Sequence, residues 1–279
     1  MKKIVVLYHM DCPDGFGAAW VAWKKFGNKA EYIAVPPRVL PKTKLQSREI
    51  YVLDNSYSVE IMRKLARDKN RVVVIDHHGS SEDDVKSSPE HVFDLNHSGA
   101  VLAWKYFFPQ KKLPRLLAYI EDNDLWRHEL PNTNEVQAFL SAYEYDFKIW
   151  SKLADTLETR GGIKKSAEQG VIVLKYQEKL VRDAVRKAEL VLFHGKKTLA
   201  ANSPSKSLAS GIGHEIAKQF KFGIIWYETN GDIRVSLRSI GNFDVAKLAQ
   251  KYGEGGGHKN AAGFTIKAIG KFPWKRIIS

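Results

Sequence analysis

Carboxylate and imidazole side chains crowd the ends of three short apolar runs in this chain. His9, Asp11 and Asp14 follow the run from Lys3 to Tyr8, Asp54 follows Glu49 to Leu53, and Asp76, His77 and His78 follow Arg71 to Ile75. Val/Ile-rich runs separated by helix-length stretches predict strands of a parallel α/β sheet. In such sheets ligands bind beyond the carboxyl ends of the strands. Three neighbouring strand ends therefore gather these groups into one cluster. Carboxylates held that close repel one another, and divalent cations are the usual remedy. Two cations ~3.5–4 Å apart need several monodentate donors and one carboxylate to bridge them. His9, Asp11, Asp14, Asp54 and His77 supply that set, with Asp54, alone on the middle segment, as the bridge. Oxygen and imidazole donors suit a pair of Mn²⁺ ions best, with Mg²⁺ weaker and Co²⁺ a substitute. The chemistry expected of such a pair is activation of water against a phosphorus ester. Cys12 stands beside the cluster, but hard cations prefer oxygen and imidazole, which leaves it outside the expected ligands.

The elements that must position these residues are legible in outline. Asp14 to Phe26 predicts a helix, Glu31 to Val35 a strand, and Val59 to Asp68 a helix capped by Ser58. His91 to Leu95 predicts a further strand, followed by helices over Ser98–Phe108, Leu113–Asp122 and Asn132–Glu144. A charged helical stretch then runs from Ser151 to Leu190 with a break expected at Gly161-Gly162. Its long helix, Val171 to Ala188, serves as a connector. The last third predicts strand (191–201), helix (207–219), two strands (223–229 and 232–238), helix (243–252) and strand (264–267). Asn230-Gly231 between the paired strands is a two-residue hairpin signal. The expected organisation is a parallel-sheet catalytic domain over 1–150, a helical connector over 151–190 and a smaller α/β domain over 191–279.

Composition narrows the class. The chain has 279 residues with 44 Lys and Arg against 31 Asp and Glu, a net charge of +13, which fits a polyanionic partner or substrate. A single cysteine excludes an internal disulfide and fits a reducing compartment. No stretch approaches the roughly 18 apolar residues of a membrane span, and the apolar run at the N-terminus is broken by His9 and Asp11, too soon for a signal-peptide core. A cytoplasmic protein without a membrane partner is expected.

The C-terminal third carries a second signal. Gly255-Gly256-Gly257-His258 precedes Ala261-Ala262-Gly263, and consecutive glycines allow positive φ and an anion-binding nest. Upstream, Arg234, Ser236 and Arg238 share one face of a strand while Ile233, Val235 and Leu237 take the other.

Asp76-His77-His78 after an apolar strand, with His9-Met10-Asp11-Cys12-Pro13-Asp14-Gly15 upstream, resembles the DHH phosphoesterase superfamily. That superfamily includes RecJ-type exonucleases, nanoRNases, cyclic-dinucleotide phosphodiesterases and some pyrophosphatases. The C-terminal pattern is similar to its companion substrate-binding domain, DHHA1. The resemblance implies that His9 and Asp11 hold one cation, that Asp14, His77 and Asp122 hold the second, and that Asp54 is shared. Asp124 is the alternative to Asp122 within Tyr119–Trp126. It further implies that His78 lies near the scissile phosphate and that Asp76 orients an imidazole. Arg238, Ser239, Gly256, Gly257 and His258, with Arg234, would contact substrate. Many members space the first motif His-x3-Asp-x-Asp; here it is His-x-Asp-x2-Asp, which leaves the sharing of Asp11 and Asp14 between the cations open. The activity implied is hydrolysis of short single-stranded oligonucleotides or linear or cyclic dinucleotides to mononucleotides. The rivals are a phosphatase acting on a nucleotide bisphosphate or polyphosphate, and a non-catalytic nucleic-acid binder with a relic site. Oligomeric state stays open, a homodimer being compatible.

Overall fold

The computed structural model describes residues 2–203, 206–229, 231–253, 255–267 and 272–277, without the side chains of 206 and 207. The chain divides into two compact units, Met1–Val173 and Leu174–Ser279. The first unit is an α/β layer built on a five-stranded, wholly parallel sheet in the order β2-β1-β3-β4-β5. Its strands are β1 (Ile4–His9), β2 (Ala30–Val35), β3 (Glu49–Leu53), β4 (Arg71–Asp76) and β5 (Glu90–Phe93). The helices are α1 (Pro13–Phe26), α2 (Val59–Arg67), α3 (Glu82–Lys86), α4 (Gly99–Phe107), α5 (Arg115–Asp124), α6 (Thr133–Leu140) and α7 (Phe147–Leu157).

Alternation along the strands explains why both sheet faces are covered. Val6, Tyr51, Leu53, Val73 and Ile75 pack with Phe16, Trp20, Val101 and Leu117 of the helices on one side. Val5, Leu7, Ile50, Val52, Val72 and Val74 pack with Met62 and Leu65 of α2 on the other. Trp150, Leu153 and Leu157 of α7 also join the first of these cores, so residues beyond 150 complete the N-terminal unit. The division of the chain falls inside one helix, α8 (Arg160–Arg186), which runs unbroken past Gly161-Gly162. Those glycines occupy its first turn, where backbone donors have no intrahelical partner in any sequence.

The second unit is a seven-stranded mixed sheet in the order β10-β11-β9-β8-β7-β6-β12. Its strands are β6 (Glu189–Phe193), β7 (Lys196–Asn202), β8 (Phe222–Thr229), β9 (Asp232–Ser239), β10 (Gly256–His258), β11 (Ala261–Ile266) and β12 (Lys275–Arg276). Helices α9 (Lys206–Phe220) and α10 (Ala246–Ala249) complete it. The single strand expected over 191–201 is two antiparallel strands. They turn at His194 and Gly195, both at positive φ (47° and 73°), the geometry of a tight hairpin. The β8–β9 hairpin pairs Thr229 with Asp232; Asn230, named with Gly231 as its turn signal, lies outside the described residues. Among the described residues no helix is long and apolar enough to cross a membrane.

Candidate metal centre

The three central strands β1, β3 and β4 are neighbours, and their carboxyl ends bring His9, Asp54, Asp76, His77 and His78 together. Asp54 is at the middle of them. Its Oδ2 faces His9 Nδ1 at 3.2 Å and its Oδ1 faces His77 Nε2 at 3.3 Å. The two oxygens of one buried carboxylate thus address two different imidazoles. Asp54 adopts a left-handed φ of 52°, a conformation rare outside glycine that Asp tolerates better than most. The peptide is pinned by its N–H donating to the Ile75 carbonyl at 2.9 Å.

Asp14 enters from the first turn of α1, which opens on Pro13, a residue pre-set for the first helical position. Its carboxylate accepts from Gly99 N–H (2.7 Å) and Ala100 N–H (2.9 Å), the free donors at the start of α4. Ser98 caps that helix by accepting from Val101 N–H. Gly99 is required here, because a Cβ on it would stand 2.7 Å from Asp54 Cβ and 3.0 Å from Asp14 Oδ2. Asp76 is buried and its Oδ1 accepts from His77 N–H and His78 N–H and meets His78 Nδ1 at 2.7 Å. It therefore orients His78 in particular, leaving His77 to face Asp54 and Asp14 (3.6 Å).

Among the described residues, donor atoms within 4.8 Å of one another form three groups: His9, Cys12 and Asp54; Asp14, His77 and Asp124; and Asp54, Asp76, His77 and His78. Two residues expected as ligands stand elsewhere. Asp11 is exposed, at a left-handed φ of 53° just past β1, and together with burial its charge raises the Tyr8 and Tyr145 hydroxyls. Cys12, set aside on donor preference, sits in the group instead. Asp122 is the second correction. Its carboxylate accepts from Glu129 N–H (2.9 Å), Leu130 N–H (3.2 Å) and the Thr133 hydroxyl, holding the loop after α5. Asp124 takes the place expected for it, with Oδ2 3.5 Å from His77 Nε2. Two helical steps rotate a side chain by about 200°, so only one of the pair can face the strands. The signal was in the sequence: Asp124 continues the stripe of Leu117 and Ile120 that meets Gly17 of α1.

Electrostatics shows what the cluster lacks. Burial, with Asp54 and Asp124 nearby, raises the Asp14 carboxyl well above its usual range. Burial and Asp54 push Asp124 up to about 6. Burial opposes the charged form of Asp54 too, but His77 and His9 overcome it and hold its carboxyl below the usual range. Burial likewise opposes a charged His78, yet Asp76 and Asp54 raise it to about 9. Asp54 Oδ1 and Asp76 Oδ2 are buried without a hydrogen-bond donor. Orphaned anionic oxygens beside imidazole nitrogens fit divalent cations, whose charge would reverse the upward shifts of Asp14, Asp124 and His78 and reinforce the ionisation of Asp54. His9, Cys12 and Asp54 on one side and Asp14, His77 and Asp124 on the other are the residues that would hold them.

One more carboxylate escaped the sequence reading. Glu121 is buried and accepts from Ser98 N–H (2.9 Å), with His97 Nδ1 at 3.0 Å and Arg127 Nη1 at 3.2 Å. It ties the start of α4 to the end of α5, the two elements that fix Asp14 and Asp124.

In the C-terminal unit, β9 alternates as expected: Ile233, Val235 and Leu237 are buried, and Arg234 and Ser236 face away. Arg234 donates to the Thr265 hydroxyl (2.8 Å) and Arg238 to Ser210 Oγ (3.3 Å). Burial holds the Arg238 guanidinium below its ordinary value. Ser239, expected to contact substrate, falls on the buried side by the same period of two. Its hydroxyl donates to the Phe243 carbonyl (2.6 Å) and accepts from Asn260 Nδ2 (2.9 Å), bracing a turn. The Gly-Gly-Gly-His segment is no open nest. It supplies β10, an edge strand hairpinned to β11 with Gly257 opposite Ala262 and His258 opposite Ala261. A Cβ at Gly257 (φ 138°) would lie 2.5 Å from the Ala261 carbonyl oxygen, so the hairpin needs glycine there. Gly256 is half-buried and His258 is exposed on this strand.

Comparison with known proteins adds three findings. Residues 199–273 match the family model described as the DHHA1 domain. An uncharacterised protein of Acanthamoeba polyphaga mimivirus is 29% identical over 299 residues, covering 98% of this chain and 70% of the relative. Two solved structures share the fold. A pGpG-specific phosphodiesterase from Vibrio cholerae has a TM-score of 0.50 at 17% identity, over 96% of this chain and 94% of that one. An exopolyphosphatase-related protein from Bacteroides fragilis has a TM-score of 0.51 at 14% identity, over 97% and 88%.

Proposed function

We propose that this chain, whose residues 199–273 match the DHHA1 domain model, is a DHH-superfamily protein and a cation-dependent phosphodiesterase that hydrolyses short single-stranded oligonucleotides or dinucleotides to mononucleotides. The observation that carries this reading is Asp54, whose two buried oxygens face separate groups of donors. Two bound divalent ions, with Mn²⁺ suited to the carboxylate and imidazole donors among them, would supply a nucleophilic hydroxide and neutralise the phosphoryl group.

The remaining work belongs to the chain. His78, held in one orientation by Asp76 and kept out of the two outer donor groups, is placed to give a proton to the leaving oxygen. Asp14, fixed by two backbone donors of α4, and Asp124, on the last turn of α5, keep the second group of donors in register with His77. In the C-terminal unit Arg234 and Arg238, with Gly256, Gly257 and His258, bind the phosphates or bases of the substrate. The pGpG specificity of the Vibrio phosphodiesterase supports a dinucleotide-sized substrate, and the net charge of +13 suits an anionic one.

The test is a substrate panel with Mn²⁺: end-labelled ribo- and deoxyribo-oligomers from the dinucleotide upward, a cyclic dinucleotide, a nucleotide bisphosphate and polyphosphate. Mononucleotide release from the short oligomers is expected. Turnover confined to the bisphosphate or to polyphosphate would overturn the proposal in favour of a phosphatase. Binding without any turnover would leave a nucleic-acid binder.

A further inference from the structure

Trp126 lies two residues beyond Asp124, within about 7 Å of backbone. It is 76% exposed, the most exposed of the large apolar side chains described. Its φ is 55°, an unusual state for so bulky a residue, and strained backbone of this kind concentrates at functional sites. The strain is held in place. Trp126 N–H donates to the Asn123 carbonyl (3.1 Å), while Arg127 and His128 N–H donate to the Asp122 carbonyl (2.9 and 3.3 Å). The Asp122 carboxylate ties down Glu129, Leu130 and Thr133 beyond. Arg127 reaches Glu121 and the Asn96 carbonyl, fastening this loop to the segment before α4. That segment contributes Leu95, itself 55% exposed and packed by its Cδ2 3.4 Å from where a Cβ on Gly79 would sit, the residue after His78.

An indole on a braced loop, two residues beyond a donor of the cluster, is left bare to water rather than packed into the core. Among the described residues its ring contact is edge-to-face with His128, at 5.5 Å and 69°. A π surface that must meet a flat, partly apolar group next to a phosphate describes a nucleobase. We propose that Trp126 is a stacking platform for the base adjoining the scissile phosphate, and that it sets the preference for base-bearing esters. This deepens the proposed function and rests on it for the identity of the reaction. Asp122 thereby has a job distinct from ligation: it holds the loop that presents the indole.

Two measurements decide the matter. The first compares hydrolysis of a dinucleotide with that of its abasic phosphodiester analogue. W126A is expected to lower kcat/KM for the dinucleotide by roughly 10-fold or more, mainly through KM, and to leave the abasic rate alone. W126F should recover most of the loss. The second needs no turnover: quenching of tryptophan emission by a dinucleotide bearing a non-hydrolysable linkage, in the wild type and in W126F. The quench should be largely lost in W126F, since Trp20, Trp104, Trp150 and Trp274 are buried and Trp126 is 76% exposed. A quench undiminished in W126F, or an unchanged preference in W126A, overturns the assignment. If the wild type cleaves neither ester, the proposed function fails, while the emission measurement still decides the role of Trp126.

Discussion

The two units handle their functional side chains in opposite ways. The N-terminal unit buries its chemistry: Asp54, Asp76 and His77 at strand ends and Asp14 on the first turn of α1 are all sequestered, with Asp54 Oδ1 and Asp76 Oδ2 lacking a hydrogen-bond donor. The C-terminal unit sets Arg234 and Ser236 on the outward face of β9 and His258 on an edge strand. Buried, like-charged groups oppose folding until something pairs with them. Groups on an open sheet face do not. Chemistry and stability should therefore be antagonistic in the first unit and independent in the second.

The harshest way to break this contrast is Asp54→Ala. It should lower turnover by on the order of 10⁴-fold without unfolding the chain, as read by circular dichroism beside a rate assay. Wild-type-like rates would remove the bridging role. Next in size is the pair Asp124→Asn and Asp122→Ala. The first should abolish most activity while leaving the chelated protein as stable as before or more so. The second should instead destabilise the fold by about 1–3 kcal/mol through its three orphaned donors. It should also reduce activity by roughly 10- to 100-fold, the effect of a supporting rather than a ligating group. Thermal melts and rates on both proteins would show whether the assignments are reversed.

A titration sharpens the antagonism. The Asp124 carboxyl, raised to about 6, and the His78 imidazole, raised to about 9, both hold protons in the folded state that the unfolded chain releases at lower pH. Between pH 5 and 9 these two groups hold more protons in the folded state than in the unfolded one, so their contribution to stability falls as pH rises. Denaturant melts with a chelator should show a loss on the order of 2 kcal/mol across this range. With saturating Mn²⁺ the slope should invert, because the donors bind cations only when deprotonated. Parallel slopes with and without the ion would mean that the cluster is not a cation site. The smallest effects belong to the C-terminal unit. Arg238→Ala should raise KM about 10-fold with little change in melting, whereas Ser239→Ala should lower stability by about 1 kcal/mol and leave KM alone.

The fold and the gathering of the strand-end residues were legible because Val/Ile runs ending in polar groups constrain a parallel sheet so strongly. What escaped was orientation within an element. Asp122 and Asp124 differ by two positions in a helix, and only the Leu117–Ile120 stripe decides which one turns inward. Ser239 follows Arg238 in a strand, and a period of two sends it to the other face. The Gly-Gly-Gly-His segment forms an edge strand because its glycines admit close backbone neighbours, a use that composition cannot separate from an open loop. Glu121 gave no signal, since its partners Ser98, His97 and Arg127 meet it only through the tertiary packing of α4 and α5.

Gly99 supplies no donor to any ion, yet its missing methyl group is what lets two carboxylates approach the same point. Alanine at this position would wedge Asp14 and Asp54 apart while every ligating atom remained chemically intact. Ion affinity in such a pocket is thus adjustable from a residue that no ligand census would include, and drift at this one backbone position offers a route to a sluggish or silent enzyme whose motifs still look whole.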